Sequence, residues 1–180
     1  WFQRGRVVNL AVLARVIAQN DLVFGGFASW HTLFPMLLAR AVRRPSVLVV
    51  GGYDTANMPE IGYGNQRGGF RRWVSRQTML WATQLVTNSQ FTREETIRNI
   101  GVDSRRVTAI YHGIDAHSDL RNESKVDLAI TVGNVDRGNI QRKGLEQFVR
   151  AAAHLPDVQF VVIGAVEEEL IDRFGKPPEP

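Results

Sequence analysis

The chain has 180 residues, 44% of them hydrophobic, and its 22 Lys and Arg residues against 18 Asp and Glu residues give a formal net charge of +4. This composition is typical of a globular protein with a buried core, and the small charge excludes the strongly basic surface of most nucleic-acid-binding proteins. The absence of cysteine excludes disulfides and thiolate metal sites and fits a cytoplasmic protein, and no apolar run approaches the roughly 18 residues of a membrane span.

The first third of the chain alternates between helical and strand patterns. Apolar residues spaced three or four apart predict a helix over residues 7–19, and "DLVFGGF" predicts a short strand that ends in glycines. Residues 29–44 predict a second helix, which Pro35 either kinks or begins, and residues 45–54 predict a strand buried on both faces. This order is typical of βαβ units.

The middle of the chain continues the alternation after a long segment. Residues 55–69 are rich in Gly, Asn and Pro and predict a functional loop. A helix is predicted from Phe70, followed by a strand in "QLVTNS" and a helix that begins with a T-x-x-E capping box at Thr92 and Glu95 and ends at Gly101. The predicted buried face of the helix that starts at residue 70 consists of Phe70, Trp73, Val74, Gln77, Leu80, Trp81 and Gln84.

The last part of the chain repeats the pattern after a polar connector. "RRVTAIYHGID" predicts a strand and "AHSDLRNESK" the connector, and a strand at 128–133, a helix at 144–153 and a strand at 158–164 follow. Strands that alternate with helices predict parallel sheets, so we expect two doubly wound, Rossmann-like α/β domains. Because the chain starts inside an amphipathic helix without an initiator Met, we expect both domains to be incomplete.

The candidate site residues follow the strands, because ligands of an open parallel sheet bind beyond the carboxyl ends of its strands. Tyr53 and Asp54 either contact a substrate or form a turn in which the carboxylate satisfies its own backbone. His112 and Asp115 either face the ligand or only fix the passage between the domains. The candidates in the first domain are Gly51, Gly52, Tyr53, Asp54, Ser89, His112, Gly113 and Asp115.

The segment "GNVDRGNIQRKG" at residues 133–144 is the candidate phosphate site of the second domain. Lys143 and Gly144 stand at the start of the predicted helix, and Arg137 and Arg142 lie in the same loop. Cationic side chains and free amides at a helix amino end suit a diphosphate. A solvated basic loop with a capping glycine is the alternative, because neither a P-loop nor a G-x-G-x-x-G fingerprint is present.

Two blocks of characteristic order and spacing carry a family resemblance. "TNSQFTREETIRNIGVDSRRVTAIYHGID" and, after the connector, "AITVGN...RKGLEQFVRAAAHLPDVQFVVIG" resemble the inter-domain region of family 4 glycosyltransferases over about residues 84–164. The resemblance implies a GT-B fold with an acceptor-side domain at 1–117, a connector at 118–127 and a donor-binding domain at 128–180. It also implies retaining transfer of a sugar, of the hexosyltransferase type, from a nucleotide-diphosphate sugar to a glycan or lipid-linked acceptor in the inter-domain cleft.

The resemblance also assigns a donor site. Lys143 matches the family lysine that contacts the donor diphosphate, whereas Asn134 stands where the family often has an arginine, so an arginine of the longer loop is expected to replace it. The implied donor diphosphate site is Gly133, Asn134, Arg137, Arg142, Lys143 and Gly144. No E-x7-E glutamate pair of the family occurs before the chain ends, so we expect a fragment that is inactive alone. No catalytic residue is assigned, and no metal or cofactor is expected beyond the nucleotide-diphosphate sugar as co-substrate.

Several interpretations remain open at this point. His31 is either an acceptor-side base or a structural histidine. A cluster of arginines either contacts an anionic membrane at its cytoplasmic face, or stays solvated while the neighbouring tryptophans pack in the core; it comprises Arg67, Arg71, Arg72 and Arg76, interleaved with Phe70, Trp73 and Trp81. The alternative functions are a sugar-nucleotide epimerase, a phosphorylase, or a non-catalytic partner-binding module with a GT-B-derived fold.

Overall fold

The structure is a computed structural model that describes residues 9–115 and 125–170. The chain divides into two compact units, Trp1–Ile114 and Asp115–Pro180. Residues 118–124 of the expected connector lie outside the described residues. The assignment of an acceptor-side domain, a connector and a donor-binding domain therefore stays a prediction.

The first unit is built on a four-stranded parallel sheet in the order β1-β2-β3-β4. The strands are β1 (Val23–Gly26), β2 (Ser46–Val50), β3 (Gln84–Thr87) and β4 (Val107–Ala109). Gly25, Leu48, Leu85 and Val107 form one continuous row across the sheet, and all four are buried. The prediction that β2 is buried on both faces was wrong in part, because its residues alternate between buried and half-buried positions.

Helices cover this sheet and supply its core. They are α1 (Leu10–Ala18), α2 (Trp30–Ala41), α3 (Gly52–Thr55), α4 (Gly69–Trp81) and α5 (Gln90–Ile100). Pro35 lies inside α2 rather than at its start, and Met36, directly after it, is fully buried. Met36, Leu48, Met79, Leu85 and Ile100 are the largest buried side chains of this core.

Two expectations for residues 45–69 need correction. The segment after β2 is not extended, because Gly52–Thr55 forms the short helix α3. The expected irregular loop contains two 3-10 turns, Pro59–Ile61 and Asn65–Arg67. Gly64 lies between them with φ +100°, and a β-carbon there would come within 1.9 Å of the Ala56 carbonyl oxygen. Backbone packing of this closeness gives the segment a compact shape that composition alone did not indicate.

The predicted buried face of α4 was wrong in part: Val74 is buried and Leu80 and Trp81 pack against the core as predicted, but the amino-terminal part of the face is not buried. The buried residues are Val74, Ser75, Thr78 and Met79, whereas Phe70 and Trp73 are exposed. The polar members of the buried face donate to backbone carbonyls: the Thr78 hydroxyl donates to the Val74 carbonyl at 2.8 Å, and the Ser75 hydroxyl donates to the Asp54 carbonyl at 3.0 Å. These bonds reduce the penalty for burying the two hydroxyls, so Ser75 and Thr78 can occupy buried positions.

The amino end of α5 also differs from its prediction. Ser89, not Thr92, is the N-cap, and its hydroxyl accepts a hydrogen bond of 3.1 Å from the Thr92 amide. Thr92 and Glu95 are buried inside the first turns of the helix, so the expected T-x-x-E box does not form. Gly101 ends the helix with φ +77°, as predicted. The strand after it is shorter than predicted, because β4 ends at Ala109 and residues 110–115 have no regular structure.

The second unit contains the predicted strand–helix–strand unit and one further helix. Strands β5 (Leu128–Val132) and β6 (Gln159–Ile163) pair in parallel, and α7 (Leu145–Ala152) lies between them in the chain. The expected loop at 133–144 was wrong in part, because it folds into α6 (Arg137–Arg142). A 3-10 turn, Glu168–Leu170, follows β6. The core of this unit is Val135, Ile140, Leu145 and Leu170.

The predicted fold class is confirmed in both units, since every pair of adjacent strands is parallel and helices connect the strands. In each unit the carboxyl ends of the strands lie at one edge of the sheet, and this edge carries the candidate site residues.

Candidate functional site

The carboxyl edge of the first sheet is organised by Asp54. Its Oδ2 atom accepts hydrogen bonds from the Gly51 amide at 2.9 Å and the Ala28 amide at 3.2 Å. One carboxylate therefore joins the loop after β1 to the start of α3 after β2. Gly52 and Tyr53 lie in the same short helix and Gly51 is its N-cap, so the structure brings this predicted group together.

Asp54 is buried, and its environment changes its acidity. Burial raises the pKa of the Asp54 carboxyl above its usual value of 3.8, while the Gly51 and Ala28 amides and the charge of His31 oppose that rise. Desolvation disfavours the charged form, and hydrogen bonds to a carboxylate favour it. The carboxyl of Asp54 thus holds a proton more readily than an exposed aspartate does.

The backbone of Asp54 fixes the segment that follows α3. The carbonyl oxygen of Asp54 accepts hydrogen bonds from Gln66 Nε2 at 2.8 Å and from the Ser75 hydroxyl at 3.0 Å. Asn99 Nδ2 donates to the neighbouring carbonyl of Thr55 at 2.8 Å. These contacts attach residues 55–69 to α4 and α5, so the long segment is a fixed wall of the site.

A cavity of about 310 Å³ opens beside the Asp54 side chain. The residues that line it come from the ends of β1 and β2, the long segment and α4: Ala28, Ser29, Trp30, Tyr53, Asp54, Asn65, Arg71 and Val74. The cavity thus combines aromatic surface, a carboxyl group, an amide and a guanidinium. Such a mixture can hold a polar ring and recognise its hydroxyl or anionic groups.

An exposed group of three aromatic rings, Trp30, Phe70 and Trp73, adjoins this cavity. The ring centroids of Trp30 and Phe70 are 4.7 Å apart, and those of Phe70 and Trp73 are 5.4 Å apart with nearly parallel planes. Phe70 is 62% and Trp73 47% exposed. The expectation that Trp73 packs in the core is therefore wrong. We call these three residues the aromatic cluster.

Phe27, which follows the glycines at the end of β1 and was not among the predicted site residues, packs beside Gly51. It has φ +64°, a left-handed conformation that is uncommon for a residue with a side chain. A β-carbon at Gly51 would lie 3.2 Å from the Phe27 ring, so a larger residue at position 51 would press against this ring. The position of an aromatic residue directly after "GG" at a strand end was the available signal. Backbone strain of this kind is concentrated at functional sites.

His31 is held on the first turn of α2. Its Nε2 atom lies 2.8 Å from the Gly26 carbonyl oxygen, and its Nδ1 atom lies 2.9 Å from the Ser29 hydroxyl. A carbonyl oxygen only accepts, so Nε2 carries a proton and donates it to Gly26. Both ring nitrogens are thus engaged, which fits a structural role and leaves the base role without support from the geometry.

The remaining residues that were predicted for the first domain are placed differently, and Asp115 begins the second unit. Ser89 uses its hydroxyl to cap α5, which is a structural role at the carboxyl end of β3. His112, Gly113 and Asp115 are exposed and lie beyond β4 in chain without regular structure. The structure therefore does not gather these three residues with Asp54 by hydrogen bonds among the described residues.

In the second unit, Lys143 lies over Gly133 at the carboxyl end of β5. Lys143 Nζ donates a hydrogen bond of 3.0 Å to the Val132 carbonyl oxygen. A β-carbon at Gly133 would lie only 2.5 Å from that Nζ atom. Gly144 has φ +65° and separates α6 from α7, which turns the chain so that Lys143 reaches back to the strand end.

The backbone around Gly133 is packed against the end of β6. The Gly133 amide donates to the Ile163 carbonyl at 2.8 Å, and the Asn134 side-chain oxygen accepts from the Ala165 amide at 3.2 Å. A β-carbon at Gly164 would lie 2.3 Å from the Gly133 carbonyl oxygen. Asn134 therefore holds two strand ends together.

The two arginines predicted for the donor site are not gathered with Lys143. The Arg137 guanidinium pairs with the Glu169 carboxylate, and its backbone amide donates to Glu167 at 3.3 Å. Arg137 also lines a separate cavity of about 490 Å³ between α6 and α7. Arg142 donates to the Asn139 side-chain oxygen. The structure thus brings together Lys143, Gly133 and Gly144, and places both arginines in contacts of their own.

Two further observations concern residues 9–115 and 125–170. No group of three carboxylate or imidazole side chains in this part of the chain is arranged to hold a metal ion. None of the helices described there is both long enough and apolar enough to cross a bilayer.

The chain matches a known protein family. A family model described as Glycosyltransferase Family 4 matches residues 3–118, which include every residue of the Asp54 site. A search of curated proteins finds no match.

Among solved structures, 33 chains match. UDP-GlcNAc 2-epimerase from Neisseria meningitidis, bound to UDP-GlcNAc, is 15% identical with a TM-score of 0.47, over 89% of this chain and 47% of that one. MnaA of S. aureus, solved with UDP, is 13% identical with a TM-score of 0.46, over 92% of this chain and 47% of that one. The chain thus spans less than half the length of these structures, and at these TM-scores the likeness carries no further conclusion.

Proposed function

We propose, starting from the fact that the chain belongs to Glycosyltransferase Family 4, that it is part of an enzyme that transfers a sugar from a nucleotide-diphosphate sugar to an acceptor. We further propose that the sugar is a hexose and that the anomeric configuration is retained. The observation that carries the donor part is the contact of Lys143 with Gly133 at the carboxyl end of β5.

The Lys143 contact supports a diphosphate site for three physical reasons. The ammonium group is exposed, so a phosphate can reach it from solvent. Its present partner is a neutral carbonyl, which forms a weaker bond than a doubly charged diphosphate does. Gly133 carries no side chain, so the ammonium group can lie at the strand end beside the backbone. Arg137 and Arg142 become auxiliary groups in this proposal, and each has to leave its present contact to reach the phosphates.

The acceptor part of the proposal rests on the cavity beside Asp54. Aromatic rings such as those of Trp30 and Tyr53 bind the apolar faces of sugars, while Asp54 and Asn65 offer partners for hydroxyl groups. Arg71 adds a cation that favours an acceptor with a phosphate or carboxylate group. We propose a glycan or a lipid-linked acceptor, and the exposed aromatic cluster next to the cavity favours a lipid-linked one.

Isothermal titration of the chain with uridine, guanosine and adenosine diphosphates tests the donor site. Lys143→Ala should weaken the preferred diphosphate by about 1.5 to 3 kcal/mol, because one charge-assisted contact is lost. Lys125→Ala is the matched control, since Lys125 is an exposed lysine of the same unit. Equal affinities of the Lys143→Ala variant and the unchanged chain would remove Lys143 from the site.

A second assay separates transfer from the alternative of an epimerase. The full-length protein that contains this chain is incubated with a nucleotide sugar, first without an acceptor and then with one. Release of nucleoside diphosphate only when an acceptor is present supports a transferase. Conversion of the nucleotide sugar into its epimer in the absence of any acceptor would overturn the proposal in favour of an epimerase.

A further inference from the structure

A second groove lies at the opposite edge of the first sheet, where its strands begin. Its volume is about 600 Å³. The residues that line it belong to the end of α2, the end of α4 and the chain just before β2, β3 and β4: Arg40, Arg43, Arg44, Pro45, Trp81, Ala82, Thr83, Gln84 and Arg106. We call it the amino-end groove. It is distinct from the cavity beside Asp54, which lies at the carboxyl ends of the strands.

The amino-end groove is strongly basic. Four arginines line it and no carboxylate does. Two of them are held by backbone carbonyls: Arg44 donates to Ala18 at 2.7 Å, and Arg106 donates to Leu80 at 3.1 Å at the end of α4. These bonds fix the two guanidinium groups without neutralising them, because a carbonyl carries no net charge.

The other two arginines, Arg40 and Arg43, are exposed. Within residues 9–115 and 125–170 neither side chain has an ion-pair or hydrogen-bond partner. Four guanidinium groups around one groove repel one another, and this repulsion is relieved when an anion binds. In the groove, the guanidinium groups of Arg40 and Arg43 are therefore available to a ligand, and those of Arg44 and Arg106 are held in place by backbone carbonyls.

The backbone at Arg43 gives an independent observation. Arg43 has φ +55°, and the Arg44 amide donates to the Ala39 carbonyl at 2.8 Å, which closes α2 with a Schellman turn. The position with positive φ in such a turn is usually glycine, because a β-carbon is unfavourable there. This chain has an arginine where glycine would give a more stable turn. An arginine that lowers the stability of the turn but adds a charge to a basic groove is expected at a binding site.

We propose that the amino-end groove binds a ligand that bears a phosphate monoester or diphosphate group. Arginine forks match the paired oxygens of phosphate, and the combined charge suits a dianion better than a single carboxylate. Trp81 and Pro45 form an apolar wall, so the phosphate is attached to an organic group that packs against them. The ligand source is either a free phosphorylated molecule or the headgroup of an anionic lipid.

The test uses phenyl phosphate, inorganic phosphate and vesicles that contain phosphatidic acid. Arg43→Gly removes one cation and relieves the strained turn, so the variant should melt at a higher temperature and bind phenyl phosphate about tenfold more weakly. Arg40→Gln should show a similar loss of affinity, and Arg98→Gln, an exposed arginine of α5, is the charge-matched control. Phenyl phosphate should bind more tightly than inorganic phosphate because only the former contacts Trp81.

The arms of the experiment assign the source of the ligand and can overturn the site. Saturable binding of phenyl phosphate that Arg43→Gly weakens supports a free ligand. Binding to phosphatidic acid vesicles alone, again weakened by Arg43→Gly, supports a lipid headgroup. An Arg43→Gly variant that is more stable and binds either probe as tightly as the unchanged chain overturns the proposal, as does a lack of saturable binding to both probes.

Discussion

Lys143 Nζ lies directly over Gly133, at a distance that leaves no room for a β-carbon at residue 133. A β-carbon there would be 2.5 Å from Nζ, and the Nζ atom also donates to the Val132 carbonyl oxygen at 3.0 Å. The lysine and the glycine therefore depend on each other structurally, although they are ten positions apart in the chain. A change at residue 133 should act on the proposed diphosphate site through the position of Lys143.

Gly133→Ala should move Lys143 away from the end of β5 and weaken nucleoside diphosphate binding by about tenfold. The atoms in the way are the end of a flexible side chain, so the loss in free energy of unfolding should be less than about 1 kcal/mol. Titration calorimetry measures the first effect and chemical denaturation the second. Unchanged diphosphate affinity in a folded Gly133→Ala variant would contradict the proposed role of this contact.

Gly164→Ala, in contrast to Gly133→Ala, should reduce the free energy of unfolding of the second unit by about 3 kcal/mol or more. Gly164 has φ +158°, and a β-carbon would lie 2.3 Å from the Gly133 carbonyl oxygen, which is backbone and cannot swing aside. Gly138→Ala, inside α6, is the matched control and should change stability by less than about 1 kcal/mol. Denaturation curves in urea that coincide for the two variants would show that the two strand ends are not packed as described.

The strands could be predicted from the sequence because each one is a local apolar run. β2 and β5 begin and end within a few residues of their predicted bounds, and the parallel arrangement follows from the helices between the strands. The helix α6 was missed because Gly138 and Asn139 are weak helix formers. Its N-cap, Asp136, accepts from the Asn139 amide at 2.7 Å, and this cap was the available signal.

The site could be predicted only where it depends on neighbours in the chain. The "KG" pair pointed to Lys143, but the ion pair of Arg137 with Glu169 joins residues far apart in sequence, and nothing local indicated it. The exposure of Phe70 and Trp73 was also missed, because periodicity shows that a helix has two faces and not which face its neighbours cover.

Ser89→Ala should reduce the free energy of unfolding by about 1 kcal/mol, because the Thr92 amide at the start of α5 loses its hydrogen-bond acceptor. Ser104→Ala is a suitable control, since Ser104 is an exposed serine of the same unit in a 3-10 turn. Thermal and urea denaturation measure both variants. A Ser89→Ala variant that is no less stable than Ser104→Ala would mean that the Ser89 hydroxyl does not cap α5.

The aromatic cluster predicts binding to lipid surfaces. Vesicles with anionic lipid should sediment with the unchanged chain at low salt, and Trp73→Ala should reduce the bound fraction several-fold because an exposed indole inserts favourably at the interface. Phe91→Ala is the control, since Phe91 is an exposed aromatic residue of α5 outside the cluster. Vesicle binding that is absent, or equal in the two variants, would exclude membrane contact through the cluster.

Asp54→Asn separates the structural and the functional contribution of the buried carboxyl. Burial raises the pKa of Asp54, so the folded chain takes up a proton at this group more readily than the unfolded chain does. The stability that this group contributes is present in full below its ordinary pKa of 3.8 and is lost as the pH rises through the raised value. Asparagine has no such titration, yet its side-chain oxygen can still accept from the Gly51 and Ala28 amides.

The free energy of unfolding of Asp54→Asn should therefore increase relative to that of the unchanged chain as the pH is raised from 4 to about 7. Urea denaturation at several pH values measures this difference. A difference that is constant with pH, or that falls as the pH rises, would mean that the carboxylate is not desolvated in the folded state. If the full-length enzyme with Asp54→Asn is at least as stable at neutral pH but slower in transfer, the carboxyl group serves the acceptor site, because a purely structural aspartate would have been improved by the change.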